Sequence, residues 1–260
     1  MTKGWPGSWS ADQLSRDDFL GGRLKILQPR RGYRAGVDPV LLAASVPAVP
    51  GDSILDLGCG VGVASLCLGA RVPDLVLSGL ELQDNYADLA RQNASANSQI
   101  LDVTTGDVAD MPLRLRQKSF THVISNPPYF NRNSGSSAQD EGREAALGED
   151  VPLAIWVKTA AKRAAPKGTV TFIHRAERAP DLIGEMARHL GSLELMPLIP
   201  RTGRTARLVL LRGRKGGRAD FRLHDGLVMH AGVVHDGDRK NYAKATASVL
   251  WEGAPLIFPG

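Results

Sequence analysis

Asp56-Leu57-Gly58-Cys59-Gly60-Val61-Gly62 follows a short apolar run, SILDL, and leads directly into helical sequence. Glycines between a strand's carboxyl end and a helix N-terminus let a ligand approach the backbone, and open α/β sheets bind nucleotides at such places. A dinucleotide fingerprint needs Gly or Ala three residues after its second glycine. Counted from Gly58 and Gly60 that place holds Val63, and counted from Gly60 and Gly62 it holds Ser65. A pyrophosphate cradle is therefore disfavoured, and Asp56 before the turn would repel one further. The acid suits a cationic ligand bearing an ammonium and a sulfonium. Glu81, with Leu82 beside it, closes the next apolar run and can accept both hydroxyls of a ribose. Asp107, followed by Val108, closes a third and could accept from an adenine amino group. Any one of these acids reads as a surface or capping residue; three at successive strand ends beside a glycine turn form a pattern.

The pattern resembles the S-adenosylmethionine-binding half of the class I methyltransferases. Asn126-Pro127-Pro128-Tyr129 then falls at the end of the fourth strand, beside the place the resemblance implies for the transferable methyl. An exocyclic amine conjugated to a ring is a poor nucleophile because its lone pair is delocalised. The Asn126 side-chain oxygen and the Pro127 carbonyl can hold the two amino hydrogens so that the nitrogen pyramidalises and aims its lone pair at the methyl, with no strong base. Pro127 and Pro128 each fix φ and remove a donor, which leaves a stiff wall of acceptors. Tyr129 offers a flat face for a base flipped from its stack. Asn-Pro alone is a rigid turn. Joined to the glycine turn, it is similar to the amino-methyltransferase signature shared by adenine-N6 methyltransferases of DNA and RNA and by the glutamine methyltransferases of release factors.

Positioning these groups requires a sheet whose strands alternate with helices. Strands are expected at 53–57, 75–82, 101–105 and 120–125, with helices at about 63–69 and 85–96 between them. Residues 131–149 read as a surface loop; then come a helix at 153–165, a strand at 169–174, a helix at 179–190, a strand at 193–200 and an antiparallel return at 206–213. The expected fold is a doubly wound, Rossmann-like α/β sheet of seven mostly parallel strands with an antiparallel last strand. Residues 1–20 are expected to form a flexible arm, and residues 21–260 a single domain. With 43% apolar residues, 23% charged, two cysteines and no apolar run long enough to cross a bilayer, the chain is expected to be soluble, unsecreted and cytoplasmic. Cys59, Cys67 and six histidines show no metal-ligand spacing, and no metal is expected.

Phe19-Leu20-Gly21-Gly22-Arg23-Leu24, and then the stretch from Gln28 to Leu42, resemble the opening segment of bacterial tRNA(adenine-N6)-methyltransferases of the kind that modify valine tRNA beside its anticodon. The resemblance runs from about Asp18 through the glycine turn, Asn-Pro-Pro-Tyr-Phe and the C-terminal return. It implies that segment 21–50 covers the cofactor, with Arg34, Gly36 and Asp38 near its methionine end. The net charge of +5 leans the same way. Arginines and lysines crowd 201–218, and Arg30, Arg31, Arg201, Arg204 and Arg207 are candidate RNA contacts. The expected function is methyl transfer from S-adenosylmethionine to adenine N6 in structured RNA, with tRNA near its anticodon as substrate. Methylation of ribosomal RNA or of a protein glutamine, and an RNA-binding or cofactor-sensing module without turnover, stay open as alternatives.

Overall fold

The computed structural model describes residues 9–128, 151–232 and 241–258. Part of the expected N-terminal arm is a strand: β1 (Leu14–Phe19) pairs antiparallel with β2 (Leu24–Pro29) through a turn at Leu20–Gly22. Arg16, Asp17 and Asp18 make β1 look like solvated chain, but its partner supplies the burial. Ile26 is 0% exposed and Leu24 and Gln28 are 2% exposed. After the hairpin, α1 (Asp38–Ser45) begins with Pro39 in its first turn and is buried along nearly its whole length.

The sheet grows from β3 (Ser53–Leu57), whose apolar run has no exposed face. Ile54 enters one hydrophobic core, and Leu55 and Leu57 enter another. A strand buried on both sides lies mid-sheet with helices above and below. The chain continues through α2 (Val63–Arg71), β4 (Val76–Glu81), α3 (Asp84–Ala96), β5 (Leu101–Thr105), α4 (Leu113–Arg116) and β6 (Phe120–Ser125). Then follow α5 (Leu153–Arg163), β7 (Ala164–Arg175), α6 (Ala179–Ala187), β8 (Gly191–Ile199) and β9 (Leu208–Arg214). The first core takes α1, α2, α3 and the hairpin; the second takes α4, α5 and α6.

Across the sheet the order is β8-β9-β7-β6-β3-β4-β5, with β9 antiparallel to both neighbours and the other pairs parallel. These are the seven expected strands. Two short additions, β10 (Arg222–Leu223) and β11 (Leu227–Val228), extend the β8 edge. Beyond them, α7 (Lys244–Ala247) continues into a wide helical turn at Ser248–Glu252, and Val249, Leu250 and Phe258 seal the first core. One boundary differs from expectation. The turn Pro166-Lys167-Gly168 lies inside β7, where the ladder with β6 shifts register between Phe120 and His122.

Register places the candidate residues in one row. Leu57 pairs with Leu80 on one side and with Ser125 on the other, so Gly58, Glu81 and Asn126 each follow directly at the sheet's carboxyl edge. Glu81 in turn pairs with Thr105, and Gly106 and Asp107 come next.

Candidate active site

The glycine turn is held from the neighbouring strand. The backbone N–H groups of Gly58 and Cys59 both donate to the Leu80 carbonyl, at 2.8 and 3.0 Å. Gly62 N–H donates to Cys59 O at 2.8 Å, and Leu66 N–H donates to Gly62 O as α2 begins. Gly58 has φ +72, and a Cβ there would lie 2.9 Å from the Trp156 ring of α5. No other residue type fits that backbone so close to an indole. Cys59 is buried and packs against Gly79 of β4, as a small core residue does.

Two buried carboxylates face this turn. Asp56 is 2% exposed and accepts from Ser65 Oγ at 2.9 Å. Burial pushes its carboxyl up to about 7 from an ordinary 3.8; the Ser65 hydrogen bonds oppose the rise and the charge of Glu81 adds to it. Glu81 is 8% exposed; its Oε2 accepts from Gly60 N–H and its Oε1 from Gln83 N–H, both at 2.9 Å. Burial raises Glu81 as well, against the pull of those amides. Tyr33, Ala35, Pro39, Asp56, Gly58 and Asn126 line one cleft, and among the described residues no Lys, Arg or His lines it. A buried acid lining the cleft, with a second buried acid on the glycine turn beside it, suits a ligand that brings a positive charge and hydroxyl donors and does not suit a pyrophosphate.

Asn126 reaches this cleft from the end of β6, and its Nδ2 donates to the Tyr33 hydroxyl at 3.3 Å. Pro127 is buried behind it. Burial, with the charges of Asp38, Asp56 and Glu81, drives the Tyr33 phenol far above its usual range, so it stays protonated. Tyr129 lies outside the described residues, as does the loop expected over 131–149.

The remaining candidates divide. Asp38 opens α1 close enough to bear on Tyr33 electrostatically, while Gly36 is exposed and a Cβ there would meet open space among the described residues. Arg34, expected beside the cofactor, donates to Ser15 Oγ, Pro29 O and Asp17 Oδ2 at 2.7, 2.9 and 2.7 Å, so the hairpin holds its guanidinium. Leu82 is 60% exposed at the rim. Asp107 accepts from Ala109 N–H at 2.7 Å, and the Val108 side chain belongs to the second core while its carbonyl accepts from Thr159 Oγ1 at 3.2 Å. Tyr33 was missed as a site residue in the sequence; a tyrosine among Gly and Arg carries no periodic signal.

The basic cluster at 201–218 splits in two. Arg201, Arg204 and Arg207 occupy the turn between β8 and β9, at the carboxyl edge with the cleft, and Arg201 donates to Ala231 O. Arg212 is taken up by Glu194, at 2.6 Å, and by the Phe258 ring, and Lys215 donates to Ala164 O. Arg214 ends β9 at the opposite edge, and Arg218 follows beyond it. Arg30 and Arg31, directly after β2, are exposed, and the Arg30 Nε donates to Asp12 O. Among the described residues no helix is long and apolar enough to cross a membrane, and no group of His, Cys, Asp and Glu could hold a metal.

Residues 36–141 match the model of the Methyltransferase small domain. The chain is 31% identical over 197 residues to a tRNA1(Val) (adenine(37)-N6)-methyltransferase of Actinobacillus succinogenes, a match that covers 74% of this chain and 81% of that protein. A protein of the same name from Porphyromonas gingivalis is 33% identical over 178 residues, covering 65% and 69% of the two chains. In fold, the chain is similar to an Agrobacterium tumefaciens protein described as a predicted O-methyltransferase (TM-score 0.67, 24% identity, 86% of this chain and 100% of that one). It is also similar to a T. thermophilus 16S rRNA N2 methyltransferase in complex with AdoMet and guanosine (TM-score 0.54, 19% identity, 78% and 50%).

Proposed function

Because the chain belongs to the tRNA1(Val) (adenine(37)-N6)-methyltransferase family, it is an S-adenosylmethionine-dependent enzyme that methylates adenine N6 in tRNA, and we propose that Asn126 and Pro127 hold the reacting amine over the cleft of Asp56 and Gly58. The observation that carries this reading is the position of Asn126, whose amide lines the same cleft as the buried acid and the glycine turn. When bound, S-adenosylmethionine supplies a methyl on a sulfonium, an electrophile that needs no activation by the protein. The chain's residues bind and orient. Asp56, desolvated and with no cation beside it among the described residues, takes the ammonium of the methionine end. Glu81, whose oxygens each spend one lone pair on an amide, has others for the two ribose hydroxyls. Leu82 gives an apolar face beside the adenine, and Asp107 accepts from its amino group.

On the substrate side, the Asn126 Oδ1 and the Pro127 carbonyl take the two amine hydrogens, and the nitrogen's lone pair turns toward the cleft. The methylated nitrogen is cationic and acidic, and its proton leaves to water. Tyr129 gives the flipped base a stacking face. Arg30, Arg31, Arg201, Arg204 and Arg207 meet the phosphates around it. Adenine 37 of valine tRNA, the target named for the relatives, is the proposed nucleotide.

Incubation with labelled cofactor and an unmodified valine tRNA transcript, followed by digestion to nucleosides, should give N6-methyladenosine. A transcript carrying guanine in place of adenine 37 should stay unlabelled. Label on another nucleotide, or on protein glutamine alone, would overturn the substrate assignment.

A further inference from the structure

We propose that Asn93 is a positioning residue for the cofactor: through the Val61 carbonyl it holds the second half of the glycine turn in its binding shape before the ligand arrives. The role rests on the cofactor's place in the cleft of Asp56 and Gly58 proposed above. Three glycines make this turn, and glycine takes positive φ as readily as negative. A loop so free must be fixed from outside. Leu80 and Glu81 fix the first half from β4, taking the N–H groups of Gly58, Cys59 and Gly60. For the second half the hold comes from α3.

Asn93, 0% exposed on α3, supplies it. Its Nδ2 donates to Val61 O and to Leu27 O, both at 3.0 Å, and its Oδ1 accepts from Leu27 N–H at 2.8 Å. Both amide hydrogens are used, and one donor and two acceptors around the group decide which end is nitrogen. Val61 lines the cleft, yet its carbonyl is turned toward the buried amide. The N–H on the other side of the same peptide, that of Gly62, donates to Cys59 O at 2.8 Å, so the peptide is pinned at both ends. Gly62, with φ +89 and no side chain, would otherwise let it swing. Without the Asn93 donor the turn spends part of its time in shapes that do not fit the ligand, and the apparent affinity falls with the fraction that does.

A neighbouring residue provides the contrast. Asn97, four residues on at the C-terminal cap of α3, makes the same pair of bonds to the same strand: it accepts from Lys25 N–H and donates to Lys25 O, both at 2.9 Å. Its third bond runs to Asn93 O of its own helix, at 2.7 Å. Both amides fasten β2; one spends its remaining hydrogen on the glycine turn and the other on the helix.

The test compares Asn93→Ala with Asn97→Ala by calorimetric cofactor affinity and by the cofactor KM and kcat on tRNA, with the thermal midpoint as a control for folding. Both changes loosen β2. Asn93→Ala should weaken cofactor affinity and raise its KM about 10-fold, the scale of one lost hydrogen bond, and leave kcat at saturating cofactor within about 2-fold. Asn97→Ala should leave the affinity within about 2-fold. Equal weakening in the two proteins would show that the effect passes through the hairpin, and it overturns the role. Wild-type affinity in a folded Asn93→Ala also overturns it. Asp56→Asn keeps that failure apart from a failure of the cleft: if Asp56→Asn binds weakly while Asn93→Ala binds normally, the positioning role alone falls, and if Asp56→Asn binds as the wild type does, the placement of the cofactor falls with it. If Asn93→Ala does not fold, Asn93→Leu fills the volume of the amide without its hydrogen bonds, and the same comparison with Asn97→Leu decides.

Discussion

The Glu81 carboxylate accepts the N–H of Gly60 at 2.9 Å, so the acid that closes β4 also holds the turn that leaves β3. Its other oxygen accepts from Gln83 N–H at the same distance. Glu81→Gln replaces one of these acceptors by an NH2 group and leaves an amide facing a donor, at a cost of about 1–3 kcal/mol in stability. Glu81→Ala, which removes the charged partner of the ribose hydroxyls as well, should weaken cofactor affinity by about 1.5–3 kcal/mol. Calorimetry on the folded variants measures both effects, and undiminished affinity in Glu81→Ala would take the residue out of the cofactor site.

Asp56 should make cofactor binding pH-dependent. Its folded carboxyl titrates at about 7 against an ordinary 3.8, so between these values the cofactor-free fold holds a proton that the unfolded chain has lost. The contribution of Asp56 to stability is therefore greatest below the lower value, falls as pH rises through this window and is flat above it. Cofactor affinity runs the other way, rising toward and through pH 7 as the acid ionises to meet the ammonium. Asp56→Asn should flatten both profiles in thermal-shift and calorimetric titrations. A wild-type affinity that does not vary across the window would exclude Asp56 as the ammonium's partner.

Gly58→Ala should be costly for two reasons, the left-handed φ of +72 and the indole 2.9 Å from the new methyl. A loss of about 1–3 kcal/mol is expected from backbone strain and overpacking together. Introducing Gly58→Ala into a Trp156→Leu protein should cost less, because the clash is gone and only the backbone term remains. Equal penalties in both backgrounds, read from denaturant unfolding, would show that the ring does not constrain the turn.

Neutralising Arg201, Arg204 and Arg207 together should flatten the dependence of log tRNA affinity on log salt by roughly 2 to 3 units if each meets a phosphate. The same change at Arg214 and Arg218, on the opposite edge, should leave the slope alone. Filter binding across a salt series separates the two. Equal slopes for all three proteins would return the β8–β9 turn to ordinary solvated surface.

The parallel half of the sheet was legible in the sequence because its strands are apolar runs that end at chemistry. SILDL stops at the glycine turn and FTHVIS stops at Asn126, with β3 and β6 bounded where those runs are. The hairpin was not legible, since charges at Arg16, Asp17 and Asp18 conceal a strand whose burial comes from its partner. The contacts that hold Arg34 were hidden with it, because its anchors Ser15 and Asp17 belong to the unread strand. That the basic cluster divides was not legible for a topological reason: β9 runs from beside Arg207 to Arg214 at the opposite edge of the sheet. Tyr33 had no local signal because its contacts, Tyr86 and Asn126, lie 53 and 93 residues away.

The outer rim of β2 is closed by side chains in place of a third strand. Asn97 accepts from Lys25 N–H and donates to Lys25 O, and Asn93 does the same for Leu27, at 2.8–3.0 Å throughout. The two amides, Asn93 on α3 and Asn97 capping its C-terminus, sit four residues apart and match the two-residue step of the strand, so these outward peptide groups find their pairs without another length of backbone. An edge left open would offer itself to any extended chain that passed, including the same hairpin on another molecule. The asparagines thus serve as a guard against self-association as well as a fastening, and replacing both would expose the molecule to edge-on polymerisation.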